Sequence, residues 1–382
     1  MFDDFIDFVQ DIYSTKEFIP LSKPNFNGDE KKFVLDAINS TYVSSVGRYV
    51  DDFENSIKAF TGVKFAVATV NGTAALHIAL KLSGVENDTE VITQSLTFVA
   101  TCNAIRYCGA KPILIDVNRD TLGLCPVKLR IFLEKNCELR DDGFCWNKLS
   151  NSKILVCLPM HTFGFPSQLD EIENICSQYN IQLIEDAAES LGSYYKGSHT
   201  GNKGKLAIMS FNGNKIITSG GGGMILTDDE ELANKAKHIT TTAKLQHSWE
   251  FVHDEVGYNY RLPNINAALG LAQMESIQIN LMSKRSIAQS YQSWGKENDF
   301  HFINEPKDTK SNYWLNQVLM RDKDQRDKML KITNLKGVMT RPAWTPMHYL
   351  KINKDCQIET MENTEWLYDR LVSVPSSAIF NG

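Results

Sequence analysis

Short apolar runs alternate with amphipathic stretches between residue 51 and about residue 230. Each run is rich in Val, Ile or Leu and almost continuously apolar, which is typical of strands buried on both faces of a parallel sheet. Strands are predicted at residues 65–70, 90–93, 112–117, 153–159, 181–186, 207–211 and 223–227. The stretches between them repeat apolar positions at helical spacing, as in residues 169–179. The pattern therefore predicts an α/β protein with a mostly parallel seven-stranded sheet covered by helices.

Beyond residue 230 the pattern becomes helical, and residues 313–320 and 337–342 are predicted strands of a smaller α+β unit. A chain of 382 residues suits one large domain and a smaller one. Residues 1–240 are predicted to form the large domain with an N-terminal arm. Residues 241–382 are predicted to form connecting helices and a small C-terminal α+β domain. Within the large domain, the polar residues 121–150 are predicted to be a surface excursion.

Charge and composition argue against several classes of protein. The chain has 40 Lys and Arg against 46 Asp and Glu, a net charge of −6, and no basic tail, which argues against a nucleic-acid partner. No apolar run approaches the roughly 20 residues that span a bilayer, and the acidic start MFDDFIDFVQ is unlike a signal peptide. The 8 Cys are scattered without CxxC or zinc spacing. We therefore expect a cytoplasmic protein with reduced thiols, no metal site and no membrane contact.

Candidate chemistry follows three of the predicted strands, because ligands of open α/β sheets bind beyond the carboxyl ends of the strands. Gly72 and Thr73 follow the first strand, in VNGTAALHIAL, and begin a predicted helix. The free N–H groups at a helix N-terminus form an anion site that suits a phosphate. A glycine turn with a threonine near the N-cap explains the same residues without a ligand.

An acidic residue ends the apolar strand at residues 181–186. Burial of the Asp186 carboxylate costs free energy unless the carboxylate meets a cation or a hydrogen-bond donor. A protonated pyridine nitrogen would be such a partner, and the carboxylate would keep the ring electron-withdrawing. The alternative is a carboxylate that caps the junction between strand and helix.

A lysine lies just beyond the next strand, in SFNGNKIITSGGGG. Lys215 can approach a bound ring closely beside Gly220–Gly223, and burial favours the neutral amine that nucleophilic catalysis needs. The alternative is a solvated loop lysine. The chain has neither a GxGxxG unit after a strand nor GxxxxGK[ST], which argues against dinucleotide and P-loop sites. Together, the phosphate turn, the strand-end Asp186 and the glycine-flanked lysine predict pyridoxal phosphate chemistry.

These motifs resemble those of the DegT/DnrJ/EryC1/StrS family of sugar aminotransferases, which have the aspartate-aminotransferase fold (PLP fold type I). The resemblance covers residues 20–348 and rests on NGTAAL, IEDAAES, SFNGNK with GGGG, and GYNYRLPNINAALG. It implies that the cofactor is pyridoxal 5'-phosphate, that Lys215 binds it covalently and carries protons, and that Asp186 pairs with its pyridine nitrogen. The residues implied to hold the phosphate are Gly72, Thr73 and Ser210.

The resemblance also implies three further cofactor contacts. Phe98 would stack on the cofactor ring. Glu189 stands where many members have a Gln that donates a hydrogen bond to the phenolic oxygen, and a carboxylate there repels the phenolate unless a proton or cation compensates. Asn259, in GYNYR, would reach the phosphate of the neighbouring subunit, so that a homodimer shares its active sites.

Three segments resemble the branch that makes 4-amino-4,6-dideoxy sugars for legionaminic acid, bacillosamine and related surface glycans: residues 42–47, 311–316 and 340–348. This resemblance implies amino transfer from L-glutamate to C4 of a nucleotide-linked 4-keto-6-deoxy sugar, a UDP-linked N-acetylhexosamine in particular. It implies that Arg341, Trp344 and His348 face this substrate and that His161 lies beside the cofactor. Packing of the small domain explains Trp344 and His348 equally simply, and a structural role explains His161.

Three alternatives stay open. A sugar 3-dehydratase of the same family would have His in place of Lys215, so the lysine argues against it. Amination at C3, or on a dTDP- or GDP-linked sugar, would need the same cofactor residues. A non-catalytic sensor on the same scaffold would usually carry an added DNA-binding module, and no basic helical module is present. The sequence leaves open the nucleotide, the sugar and the configuration of the new amine.

Overall fold

The computed structural model of the protein describes residues 2–380. The helices are α1 Phe2–Tyr13, α2 Glu30–Asn39, α3 Arg48–Thr61, α4 Gly72–Leu82, α5 Val99–Tyr107, α6 Pro126–Asn136, α7 Leu169–Gln178, α8 Glu230–Thr240, α9 Asn264–Glu275, α10 Ile277–Asn298, α11 Lys323–Leu335 and α12 Glu362–Tyr368. The strands are β1 Phe65–Thr69, β2 Thr89–Gln94, β3 Lys111–Ile115, β4 Cys137–Leu139, β5 Cys145–Asn147, β6 Lys153–Leu158, β7 Gln182–Asp186, β8 Tyr194–Tyr195, β9 Ser198–His199, β10 Leu206–Ser210, β11 Gly223–Thr227, β12 His301–Phe302, β13 Thr309–Lys310, β14 Asn316–Leu319, β15 Arg341–Pro342, β16 Gln357–Ile358 and β17 Leu371–Val374.

Seven strands form the core of the ten-stranded central sheet, in the order β1-β11-β10-β7-β6-β2-β3. These strands run parallel except β11, which is antiparallel to both of its neighbours. All seven are strands that the apolar runs predict, and almost every residue in them is buried, as expected for a sheet covered on both faces. The predicted α/β class with a mostly parallel seven-stranded core is confirmed.

Helices cover this sheet through several apolar clusters. Helices α4, α5 and α8 share one cluster with the strands, through residues such as Ile78, Ile105 and Ala236. Helices α6 and α7 share a second, and α3 and α9 a third. The alternation of strand and helix in the sequence is thus the alternation that the fold needs to bury each strand.

Residues 121–150 are not the surface excursion that their polarity predicts. They contain α6 and the hairpin β4–β5, and β5 pairs with the start of β6. Phe132, Leu133, Cys137 and Cys145 are buried in the same cluster as the sheet strands. The prediction was wrong because the polar residues of this segment occupy its exposed face, and their number hides the sparse apolar positions that point inward.

The C-terminal region contains a small antiparallel sheet, β12-β14-β17-β15. Strands β14 and β15 lie within the two predicted segments. Helix α1 packs Phe5 and Val9 into the same cluster as Tyr291 and Phe300, so the start of the chain lies against this region. Strand β16 instead pairs with β3 of the central sheet. The division at residues 240 and 241 stays a prediction.

Candidate active site

A cavity of about 270 Å³ opens at one edge of the central sheet. The carboxyl ends of β1, β7 and β10 meet at this edge, because these strands are parallel to one another. Strand β11 is antiparallel and therefore begins there, with Gly223 opposite both Thr69 and Ser210. The lining residues are Asn71, Gly72, Thr73, Leu76, Phe98, Ala100, Thr101, Met160, Asp186, Ala188, Glu189, Ser210, Asn212, Asn214, Lys215, Gly221, Gly222, Trp314 and Trp344.

One end of the cavity is formed by the N-terminus of α4. Asn71 is the N-cap, and its side chain accepts a hydrogen bond from the Ala74 N–H at 2.8 Å. The N–H groups of Gly72 and Thr73 belong to the first turn, which has no acceptors within the helix. A Cβ atom on Gly72 would lie 2.9 Å from Cβ of Ser210, so only glycine lets helix and strand approach this closely. The result is an anion site beside a serine hydroxyl.

Two of the four consecutive glycines have a steric requirement. Gly220 has φ of 79°, in the left-handed region that favours glycine. A Cβ atom on Gly223 would lie 2.5 Å from the backbone of Asn71, which is closer than any side chain tolerates. Gly221 and Gly222 line the cavity between these two positions. The run thus lets β11 begin directly against the anion site.

Asp186 ends β7 as a buried carboxylate at the cavity wall. It accepts a hydrogen bond from the Thr101 hydroxyl at 2.8 Å and another from the Ala188 N–H at 3.2 Å. Burial raises the pKa of Asp186, against the effect of these donors and of the Lys215 charge. A cationic ring nitrogen in the cavity would offset this burial cost.

Lys215 and Glu189 form an ion pair at the centre of the cavity wall. The Lys215 Nζ lies 3.0 Å from Glu189 Oε1, and Glu189 Oε2 accepts a hydrogen bond from the Phe163 N–H at 2.9 Å. Burial raises the pKa of Glu189 to about 7, although the Lys215 charge lowers it. The cation that a carboxylate at position 189 requires is therefore Lys215 itself.

Replacement of this carboxylate, Glu189→Gln, should flatten the pH dependence of folding stability. The pKa of Glu189 is about 7 in the folded protein against 4.5 for the unperturbed group, so the folded state keeps a proton that the unfolded state has released. The protonated group stabilises the folded state fully at pH below its unfolded-state pKa, and this stabilisation is lost as pH rises through its folded-state pKa. The free energy of unfolding should fall by roughly 3 kcal/mol in all. Urea unfolding of the cofactor-free protein at about pH 5 and about pH 8 measures it. If the free energy of unfolding changed equally between these two pH values in the wild type and in the Gln variant, the raised pKa would be contradicted.

Aromatic rings form the remaining wall. Trp344 lies 4.6 Å from Phe163 and 5.9 Å from Phe98 between ring centroids. Phe163 is also 6.4 Å from Trp314, whose ring centroid lies 3.9 Å from the Lys215 Nζ. Three of these four rings, those of Phe98, Trp314 and Trp344, line the cavity.

His161 lies outside this lining. Its Nε2 donates a hydrogen bond to Glu185 Oε2 at 2.9 Å, and its Nδ1 accepts one from the Ser167 N–H at 3.1 Å. The side chain is completely buried, and both ring nitrogens have protein partners. The structure therefore gives His161 a structural contact where the sequence predicted a place beside the ligand.

Arg341 and His348 do not line the cavity either. The guanidinium of Arg341 is exposed and donates hydrogen bonds to Asn334 Oδ1 at 3.0 Å and to the Thr340 carbonyl at 2.9 Å. His348 Nδ1 is 2.6 Å from Ser95 Oγ, and its Nε2 is 3.3 Å from a carboxylate oxygen of Glu365. Of the three predicted substrate residues near the C-terminus, the structure brings only Trp344 to the cavity.

Asn259 also lies away from the cavity of its own chain. It is exposed and forms an antiparallel bridge with Thr241. Large apolar side chains nearby in the sequence are exposed as well, among them Trp249, Phe251 and Val256. This arrangement differs from that of the other predicted cofactor residues, all of which line the cavity.

Sequence reasoning assigned no site role to several lining residues, and three of them make contacts that shape the site. Thr101 supports Asp186, Asn71 caps α4, and Trp314 covers Lys215. The Asn71 cap could have been found, because Asn directly before a helix is a strong N-cap signal. Thr101 and Trp314 carry no such signal, since their partners are distant in the sequence.

The polar groups of the cavity match pyridoxal 5'-phosphate in kind. The anion site at α4 suits its phosphate, the buried Asp186 suits its ring nitrogen, and the Lys215 amine suits its aldehyde. Fold and cavity together define an enzyme of the pyridoxal-phosphate-dependent aminotransferase fold.

Comparison with known proteins gives the family. The profile of the DegT/DnrJ/EryC1/StrS aminotransferase family matches residues 24–381. GDP-perosamine synthase of Escherichia coli O157:H7 is 34% identical over 366 residues, which cover 94% of each chain. EpsN of Bacillus subtilis (strain 168), whose name describes a proposed pyridoxal phosphate-dependent aminotransferase, is 35% identical over 94% of this chain and 91% of its own. The chain therefore belongs to the DegT/DnrJ/EryC1/StrS aminotransferase family.

The fold agrees with that of a solved relative. Helicobacter pylori PseC, an aminotransferase involved in the biosynthesis of pseudoaminic acid, has a TM-score of 0.84 at 23% identity, covering 94% of each chain. The protein is thus a sugar aminotransferase that depends on pyridoxal 5'-phosphate. None of these three relatives is named for legionaminic acid or bacillosamine, so that branch stays a prediction. No helix within residues 2–380 is long and apolar enough to cross a membrane.

Proposed function

We propose that the protein transfers the amino group of L-glutamate to C4 of a nucleotide-linked 4-keto-6-deoxy sugar, for the synthesis of a surface glycan. The observation that carries this proposal is the meeting of Lys215, Asp186 and the N-terminus of α4 in one cavity. Each group follows a different strand, yet the three match one cofactor. Together they provide an anion site, a carboxylate for a cationic ring and an amine.

The binding roles follow from the geometry of the lining. Gly72, Thr73 and Ser210 would hold the phosphate through two backbone N–H groups and a hydroxyl. Asp186 would hold the protonated ring nitrogen, fixed in place by Thr101. When bound, pyridoxal 5'-phosphate withdraws electrons from the reacting carbon and carries the amino group between the two substrates.

Phe98 would contact one face of the ring. It directly precedes α5, and its side chain is about half exposed at the cavity mouth. A planar aromatic side chain that is partly free of protein contacts can stack on a flat ligand with little rearrangement.

Lys215 would move the protons of both half-reactions. Its Nζ removes a proton from Cα of the amino donor in the first half and delivers a proton to C4 of the sugar in the second. Glu189, 3.0 Å away, would keep the free amine at the centre of the cavity between these events. With a pKa of about 7, Glu189 can also carry the proton that a phenolate neighbour requires.

A UDP-linked N-acetylhexosamine is the substrate that we favour, on the resemblance of residues 42–47, 311–316 and 340–348 to the branch that makes 4-amino-4,6-dideoxy sugars. Two of these segments supply Trp314 and Trp344 to the aromatic wall. The second candidate is a GDP-linked sugar. The identity to a protein named GDP-perosamine synthase favours it.

A homodimer with shared active sites is part of the proposal. Asn259 is exposed, and so are Trp249 and Phe251, which lie nearby in the sequence; exposed large apolar side chains suit a surface that another copy of the chain covers. From there Asn259 would contact the phosphate in the partner's cavity. A monomer would then have an incomplete phosphate site.

The test is transfer of nitrogen from ¹⁵N-labelled L-glutamate to a panel of UDP-, GDP- and dTDP-linked 4-keto-6-deoxy sugars. We expect ¹⁵N at C4 of the UDP-linked N-acetyl sugar, located by mass spectrometry and NMR. Label at C4 of the GDP-linked sugar alone would select the second candidate. Label at C3, or loss of the sugar hydroxyl without nitrogen gain, would overturn C4 amination. Failure of glutamate and every other amino acid to react would favour the non-catalytic alternative.

A further inference from the structure

The turn formed by Ser311–Trp314 has a strained backbone. Tyr313 has φ of 47°, in a region that bulky aromatic residues rarely adopt. All four residues are nevertheless buried. The Asn312 side chain donates hydrogen bonds to the carbonyls of Glu189 and Leu191, at 2.8 and 3.0 Å. Such a conformation persists only where its surroundings hold it, and it often does so at functional sites.

Two consecutive cationic residues of α10 hold the two ends of this turn. Arg285 donates a hydrogen bond to the Ser311 carbonyl at 2.9 Å and is paired with Glu305. Lys284 donates to the Trp314 carbonyl at 3.2 Å and to the Ser376 carbonyl at 2.5 Å. Two neighbouring residues of α10 thus bind the carbonyl groups of the first and last residues of the turn.

Lys284 is an unusual residue for such a buried position. It is 3% exposed, and within residues 2–380 it forms no ion pair with a carboxylate. Burial lowers the pKa of Lys284 to about 7. A buried amine without a counter-ion costs free energy, so packing alone does not explain its presence.

Trp314 connects this helix to Lys215. Its ring centroid lies 3.9 Å from the Lys215 Nζ, which also contacts Glu189. Its indole N–H donates a hydrogen bond to the Asn214 carbonyl at 2.6 Å, and Asn214 directly precedes Lys215. The Ser22 hydroxyl donates to the same carbonyl at 3.0 Å. Trp314 therefore restrains both the backbone before Lys215 and the amine at the end of its side chain.

We propose that Lys284 is a positioning residue for Lys215: by holding the Trp314 carbonyl, it keeps the indole ring where the Lys215 amine must lie to react. This inference rests on the proposed role of Lys215 as the covalent lysine. A lysine side chain has many rotamers, and fixing its amine in a reactive geometry removes an entropic part of the barrier. The strain at Tyr313 is then the cost of directing the ring at the amine.

The test follows covalent attachment of Lys215 in cofactor-free protein mixed with pyridoxal 5'-phosphate in a stopped-flow spectrometer. In this step the Lys215 nitrogen bonds to the aldehyde carbon and water leaves. Lys284→Met should slow the first-order attachment phase about tenfold. Its affinity for pyridoxamine 5'-phosphate, which has no aldehyde, should stay unchanged. Lys284→Arg, which keeps a hydrogen-bond donor at this position, should attach at close to the wild-type rate.

A double variant shows whether Lys284 acts through the indole. Trp314→Leu should slow attachment by itself, and the variant with both substitutions should be no slower than the slower single variant. Lys284→Gln replaces the Met variant if the latter does not fold, as judged by circular dichroism. The inference would be overturned if the Lys284→Met variant attached the cofactor at the wild-type rate, or if its affinity for pyridoxamine 5'-phosphate fell as much as its attachment rate. It would also be overturned if the effects of the two single substitutions added in the double variant. Lys215→Ala is run in parallel, and an attachment phase in that variant would instead overturn the proposed function.

Discussion

Lys215→Ala should remove the visible absorption band that belongs to the covalent bond between lysine and cofactor, and should lower turnover by more than about a thousandfold. The reason is that the chain then lacks both the amine for covalent attachment and the group that moves protons at Cα and at C4. The phosphate site at α4 and Asp186 are untouched, so the fold and non-covalent binding should persist. Absorption spectra of the loaded protein and the ¹⁵N transfer assay measure the two effects.

The matched control is Lys196→Ala. Lys196 is an exposed lysine paired with Asp170 on the surface, whereas the Lys215 amine is only partly exposed and lies in the cavity wall. This variant should keep the absorption band and the turnover of the wild type. A Lys215→Ala protein that is yellow and active would contradict the assignment of the covalent lysine. A protein that fails to fold would be recognised by circular dichroism.

Asp186→Asn should leave the cofactor bound and slow both half-reactions by about a hundredfold or more. Asn has the shape of Asp and still accepts the hydrogen bond from Thr101, but it does not stabilise a protonated ring nitrogen. The reacting carbon then loses part of its electron withdrawal. Single-turnover mixing with L-glutamate, followed by the loss of the visible band, reports the first half-reaction directly.

Thr101→Val provides the graded comparison. It removes the 2.8 Å hydrogen bond to Asp186 and leaves the carboxylate in place. We expect a smaller loss of rate than with Asn at position 186. Normal single-turnover rates in the Asp186→Asn variant would rule out the role of this carboxylate at the ring nitrogen.

Much of the fold was predictable because the strands are buried on both faces. Strands such as β6 and β10 are apolar at every position but one terminal residue, so composition alone marks them. Asp186 and Lys215 were predictable for a related reason: Asp186 is the last residue of such a strand and Lys215 lies in the loop after one, where a parallel sheet collects its ligand groups. The glycine run was predictable as a place where a ligand comes close to the backbone. The strand that follows it was predicted too, but its antiparallel direction was not.

Other features of the site and fold depend on contacts between residues that are distant in the sequence, which no local sequence pattern reveals. His161 and His348 look equally available in the sequence, yet Glu185 and Ser95 engage their ring nitrogens. Trp314 looks like one aromatic residue among many, and only the turn held by α10 places it over Lys215. Residues 121–150 show the same limit, because a helix with a narrow apolar face resembles a polar loop.

Peptide mass spectrometry of the cofactor-loaded protein after borohydride reduction tests the central claim most directly. Reduction makes the bond between lysine and cofactor permanent, so the modified residue can be located. We expect the added mass of the cofactor on the peptide that contains Lys215 and on no other lysine. The added mass on a different lysine, or on none in a protein that holds the cofactor, would contradict it.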